Sequence, residues 1–192
     1  ADALGVSAGD VAVCSTGLIG ELLPMDALLG GVDAAKQALA VDGGADAALA
    51  IMTTDTFPKG STKSVVVNGQ TVKIAGMAKG SGMIAPDMAT MLVYIFTDAK
   101  ISQAALQSLV SAHNEVTFNS ITVDSDTSTS DSLIVAATGA SGFSVDDNSS
   151  VSDALHGVMR DLAHQVVRDG EGATKFVEIN VIGAANDADA KT

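Results

Sequence analysis

The sequence predicts a mixed α/β fold, because two kinds of apolar pattern occur along it. Runs of β-branched residues at 65–67 and 71–74 flank Asn68-Gly69, which is a preferred pair for a two-residue hairpin turn. A second pattern has apolar residues at the spacing of one helix face: Val151, Leu155, Val158, Met159, Leu162 and Val166. The chain is therefore expected to form both a hairpin and a long amphipathic helix.

Other short apolar or alternating runs indicate further strands. These runs lie at 11–16, 90–96, 121–123, 133–137 and 176–182. The run 47–52 fits a helix or a strand equally well, so its type stays open.

Helix starts are predicted from capping residues. Pro24 suits a first helical position, and apolar residues recur from there to Leu39. Ser102 is a candidate N-cap for a helix that runs to about His113. Ser150 or Ser152 could cap the helix that carries the 151–166 stripe.

Composition limits the classes of function. The chain has 192 residues, enough for one domain or a large piece of one, and 47% of them are apolar, which argues against disorder. A net charge of −13 argues against binding to the phosphate backbone of nucleic acid. The single cysteine excludes an intrachain disulfide and a multi-cysteine zinc site. No apolar run reaches the ~18 residues of a membrane span, and nothing at the start resembles a signal peptide, so no membrane partner is expected.

A glycine-rich segment, residues 76–90, joins two of the predicted strands and contains Lys79. Glycine-rich loops with a lysine can cradle phosphate groups. The spacing of a P-loop is absent, however, and no helix is predicted directly after the segment, so a tight turn is the favoured interpretation.

Two polar clusters raise the question of a metal. The segment 124–132 is rich in Asp, Ser and Thr, but it lacks the spacing of a calcium-binding EF-hand, and local hydrogen bonds explain such a composition better. His156 and His164 are eight residues apart, which is not the spacing of a zinc pair on a helix. We therefore predict no metal site.

Several segments occur in the order of one known family. They are Cys14-Ser-Thr-Gly-Leu-Ile-Gly20, Ile51-Met-Thr-Thr-Asp55, Gly76-Met-Ala-Lys-Gly80, Met83-Ile-Ala-Pro-Asp-Met-Ala-Thr-Met-Leu92, Asp124-Ser-Asp-Thr-Ser-Thr129 and Glu171-Gly-Ala-Thr-Lys175. With them the chain resembles the ornithine acetyltransferase family of arginine biosynthesis, whose members are often bifunctional glutamate N-acetyltransferases. The resemblance spans nearly the whole chain. Family members are longer, so we expect this chain to be the central portion, a single-domain fragment comprising residues 1–192.

The resemblance implies self-cleavage between Ala89 and Thr90. Residues 1–89 would then belong to an α chain and residues 90–192 to a β chain. Cleavage would make Thr90 an N-terminal residue. Its hydroxyl is a poor nucleophile at neutral pH and needs an adjacent base. The freed α-amine, with an ordinary pKa of about 7.7–8.0, can act as that base. From spacing alone, Thr90 would be interpreted as the first residue of an ordinary strand.

The resemblance also assigns the other site residues. Thr16 and Gly17 would form the oxyanion hole, and Thr53, Lys79 and Glu171 would join Thr90 in the substrate pocket. Lys79 can pair with a substrate carboxylate, and Glu171 can accept an ammonium or assist proton transfer. Without the resemblance, Gly17 would be interpreted as a turn residue, and Lys79 and Glu171 as solvated surface charges.

The activity implied is transfer of acetyl from N²-acetylornithine to glutamate through an acetyl-threonine intermediate. No cofactor is implied, although acetyl-CoA is a possible co-substrate. The implied fold is a layered αββα sandwich, with two sheets between helix layers. The implied assembly is a heterotetramer of α and β chains, located in the cytoplasm or, in a eukaryote, in an organelle matrix.

Two alternatives remain. A related self-processing aminopeptidase has the same kind of fold but usually has serine at the position of Thr90. A truncated, non-catalytic copy would neither cleave itself nor form an acetyl-enzyme.

Overall fold

The computed structural model describes residues 1–85, 88–89, 91–145 and 149–191. Within these ranges the helices are α1 Met25–Gln37, α2 Gly44–Ala50, α3 Gln103–Glu115, α4 Ser149–Arg168 and α5 Asp187–Lys191. The strands are β1 Lys59–Val67, β2 Gln70–Lys79, β3 Ile84–Ala85, β4 Met88–Ala89, β5 Leu92–Thr97 and β6 Ser132–Ala137. The predicted mixed α/β class is confirmed. The two-sheet layering implied by the family concerns the whole protein and stays a prediction.

Four of the strands form one sheet in the order β1-β2-β5-β6. The pairs β1/β2 and β2/β5 are antiparallel, whereas β5 and β6 are parallel. Parallel neighbours need a crossover connection, which here contains α3. The short strands β3 and β4 pair with each other in a separate antiparallel ladder.

The predicted hairpin is formed by β1 and β2 and the two-residue turn between them. Val67 pairs with Gln70 across it, and the two turn residues have positive φ angles, 51° at Asn68 and 79° at Gly69. Positive φ at both central residues is the requirement of a type I′ turn, which is why the Asn-Gly pair predicted it.

The core lies between the sheet and α4. The six residues of the predicted stripe are at most 3% exposed: Val151, Leu155, Val158, Met159, Leu162 and Val166. They pack against buried residues of β2 and β5 that include Ile74 and Ile95. Gly76 lets the helix approach closely, because a Cβ built there would lie 2.8 Å from Ile95 Cγ1 and 3.0 Å from Leu162 Cδ1. This packing fixes β2, and therefore the position of Lys79 at its end.

The predicted helix starts have mixed outcomes. Ser102 is the N-cap of α3, with its hydroxyl accepting a hydrogen bond from Ala105 N–H, and α3 extends two residues past His113. Pro24 lies one residue before α1 rather than in its first position. Ser150 and Ser152 cannot cap α4, because the helix already begins at Ser149.

Three predicted strands are wrong. Residues 11–16, 121–123 and 176–182 form no strand, although the strand at 133–137 is confirmed as β6. A strand needs a ladder of hydrogen bonds to a neighbouring strand. Within the described part of the chain, the segments 11–16 and 176–182 have no such neighbour, and 121–123 makes a single backbone bond to β3, from Val123 N–H to the Ile84 carbonyl at 2.7 Å. Val13 is accordingly 85% exposed and Ile179 83% exposed.

The structure also shows the secondary structure of two further predicted runs. The open run 47–52 lies mostly in α2. The run predicted from Thr90 to Phe96 forms β5 from Leu92 onward, and Thr90 itself lies outside the described residues. None of the helices in the described ranges combines the length and the apolarity that a membrane crossing requires.

Candidate active site

A cavity of about 550 Å³ opens where the end of β2 meets four loops. Its lining includes the predicted oxyanion and substrate-pocket residues that the structure describes: Thr16, Gly17, Thr53, Lys79 and Glu171. They come from four segments that are far apart in the sequence. The fold therefore brings these five residues to one place.

Thr90, the predicted nucleophile, lies outside the described residues. Its neighbours in the chain are described. Ala89 belongs to β4, which pairs with β3. Met91 is 5% exposed, and its N–H donates a hydrogen bond of 2.8 Å to Asp131 Oδ1. The chain is thus anchored directly after Thr90, and the role of Thr90 stays a prediction.

The predicted oxyanion residues, Thr16 and Gly17, do not follow a strand as expected, because residues 11–16 form none. Thr16 is half-buried and Gly17 is exposed at the cavity. A Cβ at Gly17 would meet Leu23 Cδ2 at 3.6 Å, an ordinary contact distance. Space alone therefore does not require glycine here, and an oxyanion role stays a prediction.

Lys79 is the last residue of β2 and is only 2% exposed. Lys79 is therefore not the solvated surface charge that would be expected without the family resemblance. Burial lowers the pKa of Lys79, and the charges of Asp55 and Asp131 oppose this effect only in part. A cation that is held at low dielectric attracts a carboxylate more strongly than a lysine in water would.

The phosphate-cradle interpretation of the glycine-rich segment is not supported. Lys79 lies on a strand rather than in an open loop. The N–H of Gly80, which a phosphate oxygen would need, already donates to Asp55 Oδ1 at 2.7 Å.

Glu171 lies beyond the end of α4, and its side chain is exposed. Its N–H donates to the Ser81 carbonyl at 2.7 Å, which joins this loop to the one after β2. A Cβ at Gly82 would come 3.0–3.2 Å from the Glu171 carboxyl atoms. Gly82 thus leaves room for the Glu171 side chain, a role that the sequence did not reveal.

Two hydroxyl residues of the cavity were missed. Thr54 Oγ1 and Ser81 Oγ lie 2.6 Å apart in a hydrogen bond, and Ser81 is 2% exposed. Thr54 follows Thr53 within a matched segment, and Ser81 lies two residues after Lys79. This proximity in sequence could have identified both as cavity residues. Their contact connects the loop before β1 to the loop after β2.

Asp124, in the oxygen-rich segment, also lines the cavity. Its carboxylate accepts hydrogen bonds from Met83 N–H at 2.5 Å and Ile84 N–H at 2.9 Å. Burial alone would raise the pKa of Asp124, but backbone N–H donors outweigh it and leave the pKa below its ordinary value. The Asp124 carboxylate therefore binds the backbone of the loop after β2. Among the described residues, no group of three or more His, Cys, Asp or Glu side chains is arranged to hold a metal ion.

The cavity combines a buried cation, Lys79, with an exposed carboxylate, Glu171, and several hydroxyl groups. This is the set of groups that a small molecule carrying both a carboxylate and an ammonium would require, because each charge of the ligand meets the opposite charge. A free amino acid is such a molecule.

Comparisons with known proteins agree with the matched segments. The model of the ArgJ family matches residues 1–192. A protein from Ruegeria pomeroyi named "Arginine biosynthesis bifunctional protein ArgJ" is 61% identical over 191 residues, which is 100% of this chain and 47% of the relative. The protein of the same name from Gluconobacter oxydans is 55% identical over 184 residues, covering 91% of this chain and 43% of the relative.

A crystal structure of the bifunctional protein of the same name from Bacillus halodurans is 43% identical, with a TM-score of 0.48, over 52% of this chain and 48% of that chain. The present chain spans about half the length of the curated relatives it matches. Since the family model covers the chain from end to end, the chain belongs to the ArgJ family.

Proposed function

We propose that the whole protein, of which this chain forms part, transfers an acetyl group from N²-acetylornithine to glutamate in arginine biosynthesis. The observation that carries the proposal is the convergence of Thr16, Gly17, Thr53, Lys79 and Glu171 on one cavity. Two relatives are named as bifunctional proteins of arginine biosynthesis, which supports the pathway in this proposal.

Maturation comes first in this proposal. The hydroxyl of Thr90 attacks the carbonyl carbon of Ala89, and the peptide C–N bond breaks to give an ester. Water then hydrolyses the ester, which releases Ala89 as a C-terminus and Thr90 with a free amine. That amine acts as the general base, because its ordinary pKa of about 7.7–8.0 is close to neutral pH.

The transfer then takes two steps. Thr90 Oγ attacks the acetyl carbon of N²-acetylornithine, its proton passes to the amine base, and the amide C–N bond breaks so that ornithine leaves with the proton. The amine of glutamate next attacks the acetyl ester, and the Thr90 oxygen leaves and recovers a proton. Thr16 and Gly17 would stabilise the oxyanion in both steps, where one donor typically contributes about 2.7–4 kcal/mol.

Lys79 and Glu171 hold the substrate in this proposal. The Lys79 ammonium pairs with the α-carboxylate, and Glu171 receives the ammonium of the incoming amino acid. Thr53, which also lines the cavity, offers a hydroxyl contact. Acetyl-CoA could serve as an alternative donor, since the acetyl-Thr90 ester would be the same. We propose a cytoplasmic enzyme assembled from the α and β chains and needing no cofactor.

The test uses the full-length protein. Wild type, Thr90→Ala and Thr90→Ser are assayed for acetyl transfer from N²-acetylornithine to glutamate, and for release of N-terminal residues from peptides. The proposal expects transfer by wild type, none by Thr90→Ala, and reduced transfer by Thr90→Ser. Full transfer by Thr90→Ala would contradict it, and peptide cleavage without transfer would favour the aminopeptidase.

A further inference from the structure

Three buried charged side chains lie next to residues of the cavity without lining it. Lys59 Nζ contacts Asp55 Oδ1 and Asp169 Oδ2, each at 2.5 Å. The side chains of Lys59 and Asp55 are 0% exposed, and that of Asp169 is 2% exposed. We call Asp55, Lys59 and Asp169 the buried triad.

The triad is tied to the cavity through the backbone. Asp55 Oδ1 also accepts from Gly80 N–H at 2.7 Å, next to Lys79, and Asp55 Oδ2 accepts from Thr53 N–H at 3.2 Å. The Asp55 carboxylate therefore holds the backbone of Thr53 and of Gly80, which follows Lys79.

Asp169 provides the third connection. It lies two residues before Glu171, directly after α4, and accepts hydrogen bonds from the N–H and the hydroxyl of Thr56. The Lys59 ammonium thus joins, through two carboxylates, the segments that carry Thr53, Lys79 and Glu171.

We propose that Lys59 is a positioning residue of the active site, whose ammonium holds the segments of Thr53, Lys79 and Glu171 in the geometry that binds the amino-acid substrate. This inference rests on the proposed function for the role of the cavity. The positioning itself concerns only the contacts of Lys59 and does not depend on which reaction the cavity serves.

The positive charge of Lys59 is the property that holds the two carboxylates of the buried triad together. Lys59 is the cation that contacts both buried carboxylates directly, so removing its charge leaves them to repel each other. Burial raises the pKa of Asp55 and of Asp169, yet hydrogen bonds, among them those from Lys59, outweigh it and leave both pKa values below their ordinary range. Both carboxylates are therefore charged at neutral pH and hold Lys59 between them.

Lys59→Met in the full-length protein removes the charge but keeps an unbranched side chain. Lys63→Met is the matched control, because Lys63 is an exposed residue of the same strand. Lys59→Arg is a second variant that keeps the charge and changes its shape, in case Lys59→Met does not fold.

The first measurement is hydrogen exchange by mass spectrometry, which needs no activity. We expect the segments around Thr53, Gly80 and Glu171 to exchange at least about tenfold faster in Lys59→Met than in Lys63→Met, while β5 stays protected. Lys59→Arg should change the same segments to a smaller extent. Wild-type exchange in these segments in a folded Lys59 variant would overturn the inference.

The second measurement is kinetic. We expect the Lys59 variants to retain self-cleavage and to lose up to about 100-fold in kcat/KM for glutamate, mainly through a higher KM, because the substrate-binding groups are displaced. Unchanged kinetics in both variants would overturn the inference, whereas absence of transfer in wild type would contradict the proposed function and leave the exchange result to decide the positioning.

Discussion

The carboxylate of Asp131 accepts a hydrogen bond of 2.8 Å from the N–H of Met91, the residue that follows Thr90 in the chain. The other oxygen of this carboxylate, Oδ2, is buried and has no hydrogen-bond partner among the described residues. Burial raises the pKa of Asp131 to about 6, although Met91 N–H, Ser128 and the charge of Lys79 act in the opposite direction. An acid with a raised pKa is therefore fixed beside the predicted cleavage position.

This raised pKa predicts a pH dependence of stability. Because the folded-state pKa of about 6 lies above the ordinary 3.8, the folded protein binds the proton more tightly than the unfolded chain. The stability contributed by protonated Asp131 is thus complete below pH 3.8 and is lost as the pH rises through 6. Asp131→Asn should then gain stability relative to wild type as the pH rises from about 4 to 7.

Urea unfolding of both proteins at several pH values measures this difference, and NMR titration of the Asp131 carboxyl measures its pKa directly. Asp126→Asn is the control, because Asp126 is exposed in the same loop. The prediction is wrong if the difference between Asp131→Asn and wild type does not change with pH.

Gly76→Ala should destabilise the protein by about 1–3 kcal/mol, because the added methyl group would overpack the contact between β2 and α4. Its Cβ would lie 2.8 Å from Ile95 Cγ1 and 3.0 Å from Leu162 Cδ1. Gly60→Ala, on the edge strand β1, is the control, since its nearest neighbour would be 3.8 Å away. Chemical denaturation measures both free energies of unfolding, and equal losses would contradict the packing described here.

Ser102→Ala should destabilise α3 by about 1 kcal/mol, because the hydroxyl that accepts from Ala105 N–H is removed. Ser108→Ala serves as the comparison. It is exposed within the same helix, where alanine is the better helix former, so it should be neutral or slightly stabilising. Thermal unfolding that shows the same change for both variants would refute the capping role.

Lys79→Met in the full-length protein should raise KM for glutamate by about tenfold or more, because a charged hydrogen bond to the substrate carboxylate is lost. Lys73→Met is a matched control, being an exposed lysine on the same strand. Steady-state kinetics with varied glutamate make the comparison. An unchanged KM in Lys79→Met would remove Lys79 from the proposed binding site.

Local patterns predicted the local parts of this fold. The Asn68-Gly69 hairpin, the Ser102 cap and the apolar stripe of α4 each depend on residues that are close in sequence, and the structure confirms all three. The runs 11–16 and 176–182 have the side chains of strands but form none, because pairing requires a neighbour, and a run of β-branched residues does not reveal whether one exists.

The residues of the candidate site also include some that local sequence motifs predict and one that they do not. The family motifs predicted that Thr53, Lys79 and Glu171 lie at one cavity, as the structure shows, whereas their roles stay predictions. Lys59 could not be predicted in this way, since a lysine near the start of a strand is ordinarily assigned to the surface, and its contact with Asp169 spans 110 residues of sequence. Only the folded chain reveals that this lysine is fully buried between two carboxylates.

The most direct test of the account is intact-mass spectrometry of the full-length protein before and after brief exposure to N²-acetylornithine. We predict two chains separated between Ala89 and Thr90, with the mass of one acetyl group added to the chain that begins at Thr90. A single uncleaved chain that still transfers acetyl, or an acetyl group on any other residue, would contradict the account.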